Sequence, residues 1–382
     1  MKKIITFGLI IFIITGCNKN KENLVIDVDN PAKISFYDMF SGIEIIALET
    51  VDSSVFSRRA LEKFMFHNGN LYIMDQTNHV LHIFDEATGK FIRNFDRLGR
   101  GQGEYLNLED FNFNRFTGNL EILTHSNILA YDVTTHKFIE TYPIPVPPKH
   151  AVNYFANLGE NTDIFYSLSE PYRVTIFSRK EKKILKEYFE VFNNALDRTM
   201  LIPSITPFYL YNDTTKYTQY HNGDIISINP NTYEEIITQR WNFGERALKL
   251  SDVSSGGNLS GKEKLHYLLG LTMDYATYFV VNGETDRYQI AVFLYSKDES
   301  GLRNMLLFNE KKTGKNYVFK KFKENFTLYP DVITEEAIYT CVTYSKIPDY
   351  VNVDLLTEEN RAKLSNLTED DNDVIIKYVF KK

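Results

Sequence analysis

Apolar residues in this chain fall into short runs separated by polar turns, and the runs return at a regular distance. One unit comprises residues 71–75, 80–85 and 88–92, and a second comprises 120–123, 128–132 and 136–139. Others occupy 163–185, 218–237 and 290–318, and a sixth joins 337–344 to the terminal run 373–380. Phe84, Tyr131, Phe177, Ile228 and Phe308 stand at equivalent points, with steps of 47, 46, 51 and 80 residues. Steps near 47 suit a four-stranded propeller blade with its connections. Stacked β-sandwich domains compete as a reading of short regular strands, but their turn spacing fits this longer period poorly. The pattern predicts an all-β chain: a six-bladed β-propeller over residues 33–382 with short helical insertions.

The long fourth step contains an insertion at 244–275, where Ser260 is placed to cap a short helix carrying Leu265, Leu268, Leu269 and Leu271. A second helix is expected from Thr357-Glu358-Glu359, with acids in its first turn and Leu364 and Leu367 behind them. The strand from Ile34 and the alternating run 43–48 have no neighbour in sequence to pair with. In a propeller they complete the last blade, closing the ring and removing an exposed edge.

Composition narrows the classes. The 25 Tyr and 28 Phe against 19 Gly favour strands over helices. A net charge of −7 argues against a nucleic-acid groove, which needs a clustered positive field. Two cysteines exclude a disulfide scaffold and any Cys-rich metal module.

Lys2 and Lys3 followed by the apolar run 4–15 form the n-region and core of a signal peptide, too short to span a bilayer. Ile14-Thr15-Gly16-Cys17 resembles the lipobox of bacterial lipoproteins. In that family the cysteine thiol receives a diacylglycerol, the peptide is cut before it, and the new amino terminus is acylated. The resemblance implies a signal peptide at 1–16, lipidation of Cys17 and a polar tether over 17–32, with several acyl chains giving stable anchoring. The other reading is an ordinary secretory signal with an incidental cysteine. Asn18 after the cysteine does not resemble an inner-membrane retention signal, so the outer membrane is expected, its periplasmic or surface face left open. Loss of Lys2 and Lys3 moves the charge from −7 to −9. Cys341, in an apolar run, is expected to be a buried small hydrophobe.

Gly99-Arg100-Gly101-Gln102-Gly103-Glu104-Tyr105, followed by Asp110-Phe111, resembles an inter-blade loop of six-bladed, NHL-like β-propeller lipoproteins of Bacteroidota, domains of unknown function. That loop usually reads G-x-G-P-G-E-[FY]. Ala47-Leu48-Glu49-Thr50 and Asp371-Asn372-Asp373-Val374 are similar to the same family's opening and closing strands. Ala47, Gln102 and Asp373 replace its usual prolines, which removes rigid φ angles but no reactive side chain. The family's activity is poorly defined, so the resemblance implies a fold rather than a mechanism.

Reactive motifs are sparse. The glycine cluster lacks G-K-[ST] and leads into a strand, so it is not a nucleotide fingerprint; its glycines are expected to permit positive φ. Arg97, Arg100 and Glu104 are the candidate ligand contacts at a channel mouth, against a solvated loop. Eight dispersed histidines form no metal spacing, and 369–373 lacks the EF-hand pattern, so no metal and no cofactor are expected. No Gly-x-Ser-x-Gly elbow is present. The expected role is a lipid-anchored, non-catalytic binding or scaffolding module for an envelope protein, glycan or peptide, with no nucleic-acid partner. The alternative is an NHL-like lyase or hydrolase, which needs His, Asp, Glu, Tyr or Arg to converge in the channel. A third is a subunit of an envelope complex docking through 244–275.

Overall fold

A recurring turn shapes the blades. In the computed structural model, Asp85 ends the third strand of its blade and Asp132 and Asn229 directly follow theirs, and each side chain accepts the amide of a threonine three residues on. The next residue, Gly89, His136 or Tyr233, has φ of 71°, 54° or 59°, and its N–H donates back to the first carbonyl at 2.8–2.9 Å. Glu310 and Gly314 close the same turn in a later blade. A short side-chain acceptor and a left-handed residue thus reverse the chain in one step. Just before the first two turns the register slips by one residue, at Ile83/Phe84 and Ala130/Tyr131, which adds twist to the outer strand.

The structure describes residues 25–56, 63–144, 152–167, 171–190, 207–218, 221–249, 259–297 and 304–382. Among them are six four-stranded antiparallel sheets. Blade 1 is β2 (Lys63–His67), β3 (Asn70–Asp75), β4 (Val80–Asp85) and β5 (Phe91–Phe95). Blade 2 is β6 (Asp110–Phe113), β7 (Leu120–Leu123), β8 (Asn127–Tyr131) and β9 (Phe138–Pro143). Blade 3 is β10 (Val152–Gly159), β11 (Thr162–Ser167), β12 (Tyr172–Ser178) and β13 (Lys183–Glu190). Blade 4 is β14 (Phe208–Tyr211), β15 (Thr214–Thr218), β16 (Ile225–Ile228) and β17 (Glu235–Gln239). Blade 5 is β18 (Thr277–Glu284), β19 (Tyr288–Leu294), β20 (Asn304–Glu310) and β21 (Lys315–Phe319). Blade 6 is β22 (Val332–Ile333), β23 (Ala337–Val342) and β24 (Val374–Phe380), completed on its outside by β1 (Phe40–Ala47).

This is the expected six-bladed propeller, closed by its N-terminal strand. β1 runs antiparallel to β24, with Phe40 opposite Phe380 and Ala47 opposite Val374. Buried clusters lie between neighbouring blades, and one of them, with Ile46, Leu48, Phe64, Ile73, Tyr339 and Ile375, joins blade 6 to blade 1. The outer edge of β1 is not left bare. Asn360 donates to the Ile43 carbonyl and accepts from the Ile45 amide. It does so from the helix Glu358–Ser365, which Thr357 caps as the sequence predicts. The helix α1 (Gly261–Asp274) lengthens the connection from blade 4 to blade 5 and carries the expected Ser260 cap, with Glu263 reaching back to the Ser260 amide.

Residues 25–32, placed in the tether by the sequence, are docked on the ring. Ile26 and Val28 are buried beside Trp241, Phe243 and Phe293. The Ile26 N–H donates to Asn242 O at 2.7 Å, and Asp29 takes the Tyr295 hydroxyl and ion pairs from Arg246 and Lys297. The alternation Ile26-Asp27-Val28 is the apolar pattern that the polar stretch before it lacks.

Candidate functional site

The first strand of each blade lies at one edge of its sheet, and residues from all six of these strands line one cavity, which makes them the inner strands. The six inner strands enclose a cavity of about 360 Å³. Its wall is largely aromatic and apolar: Phe64 and Phe66 from β2, Phe113 from β6, Phe155 from β10, Phe208 and Tyr209 from β14. Val281, Val332 and Ile333 continue it across blades 5 and 6.

Four charged side chains border the cavity: Lys63, Arg115, Glu284 and Asp331. Lys63 is spent on structure. Its ammonium donates to the Asp110 carboxylate at 2.9 Å and to the Phe111 carbonyl at 2.6 Å, while Asp110 also accepts the Phe155 amide. One buried ion pair thus joins the inner strands of blades 1, 2 and 3. Glu284 is likewise engaged, by Lys216 at 2.5 Å and Lys311 at 2.7 Å. Arg115 is exposed and lies over the Phe116 ring, 4.7 Å from its centroid.

Asp331 differs. It accepts the Cys341 N–H at 2.7 Å, and among the described residues no Lys, Arg or His pairs with it. Burial pushes its carboxyl up to about 7, against the pull of that one amide. Two wall residues bury their polar ends away from the cavity: the Tyr209 hydroxyl lies against the Glu284 carboxylate, and the Asn282 side-chain carbonyl has no hydrogen-bond partner among the described residues. Burial, with the Glu284 carboxylate beside it, raises the Tyr209 phenol well above its usual range.

Behind the wall, Asn157 connects the cavity to a buried charge cluster between blades 2 and 3. Its amide donates to Glu121 and Asp163, each at 3.0 Å. Arg179 forks onto both carboxylates, two bonds of 2.7 Å to Glu121 and bonds of 2.6 and 2.8 Å to Asp163. Its guanidinium also stacks on Tyr142, 4.1 Å from the ring centroid.

Arg97, Arg100 and Glu104 lie apart from these groups. All three are exposed on the connection from β5 to β6, and none borders the cavity. Arg97 donates to the His136 carbonyl at 3.1 Å. Glu104 folds back onto its own loop and accepts the Gly101 amide at 2.7 Å. The three glycines differ in purpose. Gly103 has φ of 71°, and a Cβ there would stand 2.5 Å from the Phe138 ring. At Gly99 and Gly101 the Glu104 carboxylate occupies the space of a Cβ. Gly103→Ala is expected to cost about 2 kcal/mol from the left-handed backbone and the clash together. Urea unfolding checks it, and a change below about 0.5 kcal/mol would show that the loop relaxes freely.

No histidine borders the cavity, and among the described residues no group of three His, Cys, Asp or Glu is placed to hold a metal. His136 is held down to about 4 by burial and by Arg93 and Arg97. Cys341 packs partly buried between blades 6 and 1, and burial raises its thiol well above the ordinary value. Cys17 and the signal peptide lie outside the described residues.

The profile of a domain of unknown function, DUF4934, matches residues 22–379. The chain belongs to that family. Among solved structures, this DUF4934 propeller is similar to an exported protein of Bacteroides fragilis, at 15% identity and a TM-score of 0.72 over 93% of this chain and 98% of that one. It is also similar to a DUF4221 family member from Bacteroides vulgatus, at 10% identity and a TM-score of 0.51 over 89% and 98% of the two chains. At these identities the likeness concerns the fold. No curated protein matches the chain.

Proposed function

We propose that this DUF4934 propeller is a lipid-anchored, non-catalytic binding module of the bacterial cell envelope that takes a small ligand into its channel. One observation carries the reading: the six inner strands leave an open, mainly apolar cavity that includes six aromatic residues and a few polar and charged ones, the usual composition of a ligand pocket. The lipobox-like run ending at Cys17 supports the anchor and the outer membrane as its seat. Relatives described as exported or found in Bacteroides fit that setting. A glycan fragment or short peptide suits the size of the cavity.

Two experiments test the parts separately. Cys17→Ser should move the protein from the membrane fraction to the soluble fraction, and retention in the membrane would refute the anchor. For the channel, a panel of oligosaccharides and short peptides is assayed by thermal shift on the wild type and on Ala156→Trp, which fills the cavity. A ligand at about a hundred times its Kd stabilises by about 2.7 kcal/mol. Stabilisation confined to the wild type supports channel binding. Equal shifts in both proteins refute it, and turnover of a bound compound refutes the non-catalytic role.

A further inference from the structure

We propose that the ring lies on the membrane with one particular face down, the face where each outer strand passes to the next blade, and that the exposed apolar side chains of that face meet the lipid surface. This rests on the reading of Cys17 as a lipid anchor and adds the surface that the membrane covers.

The two faces of the ring are built differently. On one, each inner strand turns back through a hairpin, as at 68–69, 160–161 and 212–213, and the third strand of each blade turns into the fourth. The other, the crossing face, carries the connections from blade to blade, including α1, and those between second and third strands, including the helix Glu358–Ser365.

The docked arm places the anchor on the crossing face. The Ile26 N–H donates to Asn242 O, in the connection that leaves β17. Asp29 is held by Arg246 of the same connection and by Tyr295 and Lys297, just beyond β19. The Ser296 N–H in turn donates to Thr272 O of α1. Val25 therefore stands on that face, at the junction of blades 4 and 5. Eight residues carry the chain from Cys17 to Val25, a reach of at most about 29 Å. Turning the hairpin face down would use almost all of that reach to pass along one blade, since the eight residues of β18 alone rise about 26 Å.

The same face is dressed for contact. Val55, Leu98, Leu106 and Val353 lie in its connections, each more than half exposed, and so is Val25 at the end of the arm. Leu259 and Met273 are exposed at the two ends of α1. Among the described residues the hairpin face shows Tyr37, Phe116 and Leu210. Exposed aliphatic side chains gathered on one side of a ring mark a contact surface. At a lipid surface such groups enter the headgroup boundary by about 5–10 Å. This orientation leaves the hairpin mouth of the channel, where Arg115 borders the cavity, turned away from the bilayer.

Fluorescence quenching tests the orientation on the lipidated full chain in phosphatidylcholine vesicles that carry a nitroxide on some of their headgroups. A bimane is attached at Leu106→Cys or Met273→Cys on the crossing face, and at Phe116→Cys or Glu160→Cys on the hairpin face. Each variant carries Cys341→Ser, and an unfolding scan confirms that it is folded. Labels at 106 and 273 should be quenched at least about three-fold more than labels at 116 and 160. Equal quenching at the four sites, or stronger quenching at 116 and 160, overturns the orientation while leaving the anchor intact. Failure of the lipidated chain to float with the vesicles overturns the anchor itself. A difference seen in native membranes but not in vesicles of lipid alone assigns the face to a protein partner and overturns the lipid contact. With Val55, Leu98 and Val353 all replaced by serine the difference should shrink, and an unchanged difference overturns the apolar contact.

Discussion

Replacing Arg179 with methionine should lower the unfolding free energy by about 3–5 kcal/mol, read from urea melts at neutral pH. Glu121 and Asp163 are fully buried, and Arg179 is nearly so. The guanidinium supplies four short bonds to the two carboxylates, and methionine supplies none. Its removal leaves two buried acids whose desolvation is no longer offset. Burial already holds the Asp163 carboxyl at about 6 with Arg179 present. The cluster joins β7 of blade 2 to β11 of blade 3, so the loss falls on an interface between blades. Two further measurements sharpen the result. The triple variant Arg179→Met, Glu121→Gln, Asp163→Asn should recover much of the loss, because a neutral set needs no counter-charge. The single variant should also suffer less at pH 4, where Asp163 takes up a proton. A loss below about 1 kcal/mol would show that water reaches the carboxylates and that the cluster does not hold the blades together.

Asp331→Asn should have the opposite sign. The folded carboxyl titrates at about 7, against about 3.8 in the unfolded chain. Between those values the folded state holds a proton that the unfolded state has released, so this group's contribution to stability falls as pH rises and levels off above 7. The full span corresponds to at most about 4 kcal/mol. Asparagine does not ionise. The variant should therefore match the wild type near pH 4 and exceed it increasingly up to pH 8. Paired thermal melts across that range check the prediction, and a constant difference between the proteins would mean that Asp331 is solvated or compensated when folded.

Much of the architecture was legible because the blade is a repeated object. Phe84, Tyr131, Phe177, Ile228 and Phe308 all fall in the third strands of their blades, β4, β8, β12, β16 and β20. In blades 1, 2 and 4 the same turn follows, where an Asp or Asn, a Thr and a left-handed residue recur. Blade 3 keeps that turn with other residues, Ser178 accepting the Glu181 amide and Lys182 left-handed, while Arg179 is diverted inward to Glu121 and Asp163. The channel was harder to read. Its wall comes from six strands far apart in sequence, each showing only a few residues to the axis. One signal was present: Phe64, Phe111, Phe155 and Phe208 precede the third-strand markers by 20, 20, 22 and 20 residues. That offset locates the inner strands of blades 1 to 4. It fails in blades 5 and 6, where Val280 precedes Phe308 by 28 residues and β22 is two residues long. Asp331 lies in that last stretch. The glycine loop drew notice to Arg97, Arg100 and Glu104 because it is dense in unusual residues, but that density serves the crossing between blades.

The closing of blade 6 also sets an order of events. β24 is the partner of both β1 and β23, so neither can finish its sheet until the final residues are available. A chain that has formed blades 1 to 5 still exposes the flanks that bury Ile46, Phe40 and Val292 in the finished ring. Contacts between the two ends of a long chain form slowly, and such a partly built ring presents open strand edges in the meantime. Loss of the seven residues of β24 would open both seams of that blade together. Completion of the ring therefore works as a check on the length of the chain: a polypeptide that stops before Val374 lacks the strand that closes it.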